Sequence, residues 1–572
     1  MELIVTGADY VVKLLEAYDV EYVFGLPGDT NVPFYRALNK SNKIKHVMAR
    51  DERSAVFMAD AYARLTGKPA VCECPSGAGA MYSLPGIAEA TGSSVPIILL
   101  TNDIPLKGEG RGMITELDNA KLFEAVTKLS VQLKTADKIP EFIRRAFRVA
   151  TSGRPGSVHL ALPEDILANE TVFEDDAIYA EEPCKKFPAF RSCAPQDSIE
   201  QLAALINKAS RPVIVAGGGV NLARAAGIIK AVAEKTKSVV VTTITGQGTL
   251  PDEHPLALGV IGDNGFHPHA AMAVNESDLL VYVGCKVGSV VSIGWTFPSK
   301  NPHRKLVQID IDPEVLGNTQ RNALSLAGDA RLILEDVLPL LQLRGNREWL
   351  QPLNESRINF WKQAQPLLTS DAYPLKPHRV VYELNRRLPA GTQILSDAGT
   401  PTPYMSRFLK LPGDGSRLII PRAFGGLGWA IPAVVGAWFA NRKTRPVGLF
   451  GDGSFGMVCG ELETLTRLNV PAVLIHFNNG CFGWIKALQK MHNNNEYLSV
   501  DFTKLDAARI AEAFGLMAWR VTNAAELEAA LDGAFAHDGP VLIDVVVESI
   551  VDELPPVYSW MKATGRDPLT MV

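Results

Sequence analysis

The strongest constraint in this 572-residue sequence lies between Pro446 and Gly483, which reads PVGLF-GDGSFGM-VCGELETLTRLN-VPAVLIHF-NNGCFG. Two short apolar runs, Val447–Phe450 and Ala472–Phe477, flank a segment in which Leu462, Leu465 and Leu468 recur at helical spacing. A strand–helix–strand unit of this kind closes by a right-handed crossover and leaves its two strands parallel. Gly451-Asp452-Gly453 then leaves the first strand and Asn478-Asn479 leaves the second, both at the carboxyl edge where open α/β sheets bind ligands. The glycines let the backbone approach an anion, and the helix behind them offers free N–H groups and a positive dipole end. Asp452 and Asn479 bring two hard oxygens to one spot, as a magnesium or calcium ion bridging a diphosphate requires. A lone GDG is an ordinary tight turn. The selective feature is the second polar pair, on another strand end after 24 intervening residues.

GDG-x24-NN resembles the diphosphate–metal motif of thiamine diphosphate (ThDP) enzymes, and most closely the acetolactate synthase-like group of 2-oxo acid decarboxylases and carboligases, which includes pyruvate oxidase and glyoxylate carboligase. The resemblance implies an α/β protein of three doubly wound parallel-sheet domains. The first would hold the pyrimidine of ThDP, the second would be a central nucleotide-binding-like domain, and the third would hold the diphosphate and Mg2+. By this match Asp452, Asn479 and the carbonyl of Cys481 are the metal ligands, while Gly453, Ser454, Phe482 and Gly483 border the cofactor.

Alternating helix and strand patterns support that division. The expected domains are 1–181, 196–345 and 373–550, with a tail at 551–572 that lacks periodicity and is a candidate cover for the active site. The aperiodic, proline-bearing stretch EPCKKFPAFRSCAP at 182–195 reads as a linker, and the charged stretch 346–372 reads as a second one.

Charge and targeting exclude several classes. Lys and Arg total 57 against 62 for Asp and Glu, a net charge of −5, and without a basic tract nucleic acid is not an expected partner. The N-terminal stretch lacks the basic n-region and cleavage site of a signal peptide, and apolar runs such as Val95–Leu100 are too short to span a bilayer. Seven scattered cysteines include one close pair, Cys72 and Cys74, with no second pair to complete a zinc site. The reading is a cytoplasmic protein that is not associated with membranes.

In the first domain, Glu52 follows a short strand and opens a helix, within Arg50-Asp-Glu-Arg53. Taken locally it is a surface carboxylate favoured by the helix dipole. The resemblance implies another role, a carboxyl facing N1′ of the aminopyrimidine that drives the 4′-amino group to its imino form, which can then take the C2 proton. Burial against an aromatic ring would raise its pKa and suit it to share that proton. The family run carries His before this Glu, whereas Asp51 stands here. Glyoxylate carboligases resemble this pattern but lack the Glu, which disfavours that identity. The turn Leu26-Pro-Gly-Asp29 offers Gly28 as a cofactor contact. Pro75-Ser-Gly-Ala-Gly79 resembles the SGPG turn of the family, and Ile114-Thr-Glu-Leu-Asp118 resembles its FQExD stretch, with Thr115 in place of a substrate-facing Gln.

The middle domain carries Gly217-Gly-Gly219 after a strand, which is not GxGxxG. Where acetolactate synthases carry RFDDR, this chain has Lys286-Val-Gly-Ser-Val290, so the resemblance speaks against FAD, while Asp310 and Asp312 leave room for ADP. In the third domain Asp397-Ala-Gly-Thr-Pro-Thr402 resembles the loop that receives the outer phosphate, with Gly399, Thr400 and Thr402 as contacts. Arg422-Ala-Phe-Gly-Gly-Leu-Gly-Trp429 resembles the element that bends the cofactor. Leu427 would wedge between its rings, and the Gly425 carbonyl would accept from the 4′-amino group. Trp484, Ile485 and Leu488, on the helix after Asn479, are pocket candidates, and Leu488 replaces a Trp that helps acetolactate synthases select 2-oxobutyrate.

The implied activity is ThDP- and Mg-dependent decarboxylation of a pyruvate-like 2-oxo acid, with carboligation of the resulting enamine to a second carbonyl compound. Glu52, Leu427 and Thr115 would be its catalytic residues. The alternatives are a non-oxidative decarboxylase releasing aldehyde, which the lack of a His-His pair disfavours, an FAD-linked pyruvate oxidase-like enzyme, and a silent nucleotide-binding protein. Intact Glu52, Asp452 and Asn479 argue against silence. The family layout also implies a homodimer or homotetramer with active sites between chains.

Overall fold

Apolar runs without polar alternation are the signature of strands buried on both faces, and here they build three six-stranded sheets in which every neighbouring pair is parallel. The computed structural model describes residues 2–345, 348–413 and 415–568. In the first sheet the strands lie in the order Lys45–Met48, Tyr22–Gly25, Ala70–Pro75, Ile97–Asp103, Val158–Pro163, Leu129–Gln132. The third sheet is ordered Arg417–Ile419, Gln393–Ser396, Val447–Gly451, Val473–Asn478, Val541–Val546, Met517–Val521. Numbered from the first strand of each sheet, both run 2-1-3-4-6-5. The middle sheet, Ala257–Val260, Val239–Thr242, Pro212–Ala216, Leu279–Val283, Lys305–Asp310, Leu324–Ala327, runs 3-2-1-4-5-6, the order of dinucleotide-binding folds. The expected fold of three doubly wound domains is therefore observed.

The chain packs as two compact units. One comprises Met1–Phe190, Pro421–Lys443 and Met457–Ala472, and the other comprises Arg191–Ile420, Thr444–Gly456 and Val473–Val572. The first unit thus contains the first sheet together with two helices of the third domain, Ala430–Ala440 and Glu461–Arg467. Its helix Glu52–Thr66 starts on Asp51, whose carboxylate accepts from the N–H groups of Arg53 and Ser54, and stops on Gly67 in the left-handed region. Among the described residues, no helix is long and apolar enough to cross a membrane.

Two expectations change, and one element is new. The stretch 346–372 is not a linker. Asn346 and Arg347 lie outside the described residues, but Leu350–Leu368 is a helix that buries Leu353, Phe360, Ala364 and Leu368. Pro352 hid it from the sequence, yet a proline in the first turn breaks no intrahelical bond because that N–H has no partner there in any case. The single helix expected between the two motif strands is two helices, Asp452–Val458 and Glu461–Arg467. A two-stranded antiparallel sheet of Glu2–Thr6 and Glu170–Glu174, which no part of the sequence reading anticipated, closes the N-terminus onto the end of the first domain.

Candidate active site

The diphosphate-side candidates lie in the second unit. Val447–Gly451 and Val473–Asn478 are adjacent and parallel, so Asp452 and Asn479 leave neighbouring strands at the same edge. Asp452 Oδ2 accepts the backbone N–H groups of Asn479 at 2.9 Å and Gly480 at 3.2 Å. The side-chain oxygen of Asn479 stands 3.1 Å from Asp452 Oδ2 and 3.3 Å from the Cys481 carbonyl oxygen. Three oxygens converge there, and the nearby Cys481 S–H, 3.3 Å from Asn479 Oδ1, is a weak donor. Either a reversed amide or a cation relieves such a convergence. The separations are close to the edge of a magnesium octahedron, roughly 2.9 Å for metal–oxygen bonds of about 2.0–2.1 Å. The donor set is one carboxylate, one amide and one carbonyl, and it fits a hard cation. Among the described residues no cluster of three His, Cys, Asp or Glu side chains offers another metal site. Burial pushes the Cys481 thiol up to about 11, so the sulfur is a neutral thiol rather than a thiolate.

Gly483 draws two further loops together. A Cβ there would stand 3.0 Å from both the Asn479 amide nitrogen and the Thr400 hydroxyl, so a larger residue would separate them. Thr400 starts the helix Pro401–Phe408, preceded by Gly399 at φ +116°. Thr402 faces inward instead, fully buried, with its hydroxyl donating to the Asp397 carbonyl at 2.9 Å. Gly453 and Ser454 lie in the first turn of the helix begun by Asp452, with Ser454 buried. Phe482 caps the helix Gly483–His492.

Behind Asp452 lies a charged chain that the sequence reading missed. His476 is fully buried, with Nδ1 2.9 Å from Asp544 Oδ1 and Nε2 3.4 Å from Asp452 Oδ1. Burial alone would depress its pKa, but the two carboxylates raise it to about 9. Asp544 in turn accepts from Asn478 Nδ2 at 2.9 Å and from Arg520 at 3.1 Å.

The three pocket candidates diverge. The Trp484 ring sits 4.3 Å from that of Trp560, and Leu488 packs with Val557 and Leu554, so both lie beneath the tail. Ile485 is 47% exposed. The described part of the tail is held to the middle domain, where Tyr558 and Ser559 donate to the carbonyl and carboxylate of Asp263.

The pyrimidine-side candidates lie in the first unit. Glu52 is 6% exposed, and a Cβ at Gly79 would fall 2.8 Å from its Oε1, so only glycine there leaves the carboxyl its place. Burial, reinforced by Asp51 and Glu73, holds its pKa above the usual carboxylate value. Gly28 packs on Pro75, and its N–H donates to Asn31 Oδ1 at 2.8 Å. Thr115 is exposed, with its side chain against Gly77 and its backbone at φ +65°, a conformation that a β-branched residue adopts only under strain. Its carbonyl accepts from Ser76 Oγ at 2.8 Å. Leu427 is half-buried, and Gly425 lies at φ +68°.

Glu52 and Gly425 are held at opposite ends of one helix. Glu52 lies against Gly79, at the start of the helix Ala78–Gly92, whereas the N–H of Gly425 is bound by Glu89 near its end. Ten residues of helix put Gly79 and Glu89 about 15 Å apart along the axis. Buried Glu73, Glu89 and Glu461 were also missed by the sequence reading. For Glu73 and Glu89 the available signal was a charge set inside an otherwise apolar strand or helix, whereas Glu461, in ELETLTR, carries no such signal.

Three family models cover most of the chain. The thiamine pyrophosphate enzyme N-terminal TPP binding domain matches residues 5–122, the central domain 199–337 and the C-terminal TPP binding domain 397–545. A probable acetolactate synthase large subunit of Methanocaldococcus jannaschii is 34% identical over 95% of this chain and 92% of its own. The acetolactate synthase isozyme 1 large subunit of Escherichia coli is 30% identical over 98% of both chains. A putative thiamine pyrophosphate-containing protein of Bacillus subtilis is 28% identical over 98% of this chain and 94% of its own.

Proposed function

The chain belongs to the thiamine pyrophosphate enzyme family, and from that premise we propose that it decarboxylates a pyruvate-like 2-oxo acid and joins the remaining acyl unit to a second carbonyl compound. The observation that carries the reading is the placement of the Asp452 carboxylate, the Asn479 side-chain amide and the Cys481 carbonyl together on neighbouring strand ends, a donor set that would suit Mg2+ beside a diphosphate. The preference for carboligation rests on the acetolactate synthase relatives, which match over nearly their full length.

Bound thiamine diphosphate supplies a nucleophilic carbon and an electron sink for decarboxylation. The chain's own residues position it and manage its protons. Asp452, Asn479 and the Cys481 carbonyl would hold Mg2+, and Thr400, Gly453 and Ser454 would meet the phosphates. Glu52, whose pKa burial raises, would hold a proton toward the pyrimidine end of the cofactor. The Gly425 carbonyl would accept from the cofactor's amino group, and Leu427 would orient the cofactor. Thr115, shorter than a Gln, leaves space beside the reacting carbon. The separation of Glu52 from Gly425 supports an active site completed by a second copy of the chain, and hence a homodimer as the minimal unit, with a homotetramer compatible. No FAD is required, and the reaction is non-redox.

The test is CO2 release from a panel of 2-oxo acids with Mg2+ and ThDP, together with product analysis in the presence of a second carbonyl compound. Ligated product is expected. Free aldehyde alone would point to simple decarboxylation, and no CO2 from any 2-oxo acid would end the reading. Glu52→Gln should abolish C2 proton exchange of bound ThDP while the cofactor still binds.

A further inference from the structure

Three successive backbone N–H groups in the first unit point at one buried carboxylate. Glu89 is 1% exposed. Its Oε1 accepts from Ala423 N at 3.1 Å and Ser93 Oγ at 2.8 Å, and its Oε2 accepts from Phe424 N at 2.7 Å and Gly425 N at 3.2 Å. Four donors on two oxygens satisfy a charge that burial would otherwise disfavour strongly. Consecutive N–H groups converging on an anion form the concave backbone arrangement that ordinarily binds a ligand, and here the chain's own carboxylate fills it.

We infer that Glu89 is a positioning residue, one that presets the turn from Ala423 to Leu427 and thereby aims the Gly425 carbonyl and the Leu427 side chain at the cofactor. This rests on the proposed ThDP reading. Ala423 and the edge of the Phe424 ring also pack on Gly92 of the helix that carries Glu89. Phe424 is 71% exposed, and Gly425 and Gly426 add no side chain. The next fixed point is Trp429, fully buried, whose Nε1 donates to Asp60 Oδ2 at 2.9 Å. Leu427 therefore hangs between two anchors, each a buried carboxylate of the first domain. Without the Glu89 anchor the glycines free the backbone to take many conformations, and Leu427 loses its fixed direction. The diphosphate-side candidates lie in the other unit and do not depend on this contact.

The decisive variant is Glu89→Gln. It keeps the size but puts an NH2 group where an oxygen now accepts, so at least one pair of bonds is lost. In Glu89→Gln, C2 proton exchange of bound ThDP should fall ~100-fold, the size expected when a reacting group is displaced by about 1 Å. ThDP affinity should change less than about threefold and the far-ultraviolet circular dichroism should be unchanged, because only positioning is lost. Glu89→Asp, which keeps two accepting oxygens, should recover part of the exchange rate. A second measurement needs no cofactor. Hydrogen exchange of the Ala423–Gly425 amides should be slow in the cofactor-free wild type and faster in Glu89→Gln. If wild-type C2 exchange is not accelerated on binding, the cofactor reading falls while the amide measurement still judges Glu89. If the wild type accelerates exchange and Glu89→Gln matches it within twofold, the positioning role is overturned. Unprotected Ala423–Gly425 amides in the wild type would overturn it too, including where Glu89→Gln does not fold.

Discussion

Glu461 accepts the backbone N–H of Arg50 at 2.9 Å, two residues ahead of Glu52. Its other oxygen accepts from the Thr464 hydroxyl at 2.7 Å. Two flanking contacts act in the same sense, Arg53 to the Met457 carbonyl at 3.1 Å and Arg467 to the Met48 carbonyl at 2.6 Å. The turn that delivers Glu52 is therefore gripped on both sides by the segment Met457–Arg467, inside a single packing unit.

That grip makes stability depend on pH. Burial raises the pKa of Glu461 from 4.5 to about 7, the bonds from Thr464 and Arg50 oppose the rise, and the Asp51 charge adds to it. The folded value lies above the unfolded one, so the stabilisation is complete below pH 4.5 and is lost as pH rises through about 7. The loss is roughly 3 kcal/mol. Glu461→Gln keeps an acceptor for Arg50 and cannot ionise. Urea unfolding of wild type and variant should therefore show a gap that shifts in the variant's favour by a few kcal/mol between about pH 5 and about pH 8. A gap independent of pH would refute the assignment.

A second prediction concerns Glu73, buried in the strand Ala70–Pro75. Tyr35 Oη donates to Glu73 Oε1 at 2.5 Å, Asn31 Nδ2 to Oε2 at 2.8 Å, and His46 Nε2 lies 3.3 Å from Oε1. Burial and the adjacent carboxylate push the Tyr35 phenol far above its ordinary value, so it stays a donor. Tyr35→Phe removes a bond to a charged group and should destabilise the first unit by about 1.5–3 kcal/mol in urea unfolding. A change under about 0.5 kcal/mol would mean that Asn31 and His46 suffice. Asn31 also accepts from Gly28 N, so limited proteolysis near residue 28 should speed up in the variant.

The sheets were legible because parallel strands buried on both faces read as unbroken apolar runs. The runs Val447–Phe450 and Ala472–Phe477 emerge as the strands Val447–Gly451 and Val473–Asn478, within one residue at each end. The two site motifs were legible because each follows such a run. Glu73, His476 and Asp544 were not, because each is a single charge within an apolar strand, and its partner lies 38 to 68 positions away, as in Tyr35 with Glu73 and His476 with Asp544. Local pattern carries no record of pairing over that distance. Thr402 resembled a phosphate ligand by position, and its inward turn is a rotamer and backbone outcome that spacing does not encode.

The metal reading makes a third prediction through Asn479. If its side-chain oxygen joins Asp452 and the Cys481 carbonyl around Mg2+, Asn479→Ala should weaken Mg2+ binding in the presence of ThDP by at least ~10-fold, the lower bound for losing even an outlying partner of a metal ligand. Cys481→Ala keeps the carbonyl and removes only a neutral thiol, so its Mg2+ affinity should be that of the wild type. Isothermal titration of Mg2+ measures both. If the amide is instead reversed, with its N–H groups toward Asp452 and Cys481, Asn479→Ala will leave Mg2+ affinity unchanged.

The last prediction concerns the middle domain, whose 3-2-1-4-5-6 strand order invites a dinucleotide. The glycines after its first strand have another explanation. A Cβ at Gly217 would fall 2.2 Å from the Gly284 carbonyl oxygen, and one at Gly219 would fall 2.7 Å from the Gly284 Cα, so both permit close approach of the neighbouring chain. They are therefore not evidence for a pyrophosphate. Beyond Gly284 runs Lys286-Val-Gly-Ser-Val290, in which Gly288 and Val290 have no side-chain hydrogen-bonding group, and Val290 packs against the third-domain core. Each missing charged contact weakens flavin binding by roughly 1.5–3 kcal/mol, and two such losses shift affinity by orders of magnitude. A smaller adenine nucleotide such as ADP needs fewer contacts, and Asp310 and Asp312 remain at the strand end. The purified protein should thus show no flavin absorbance, even after incubation with FAD and removal of excess. A stoichiometric flavin spectrum would overturn this and favour an oxidase-like reaction, while ADP binding by calorimetry with no flavin would fit a non-redox carboligase.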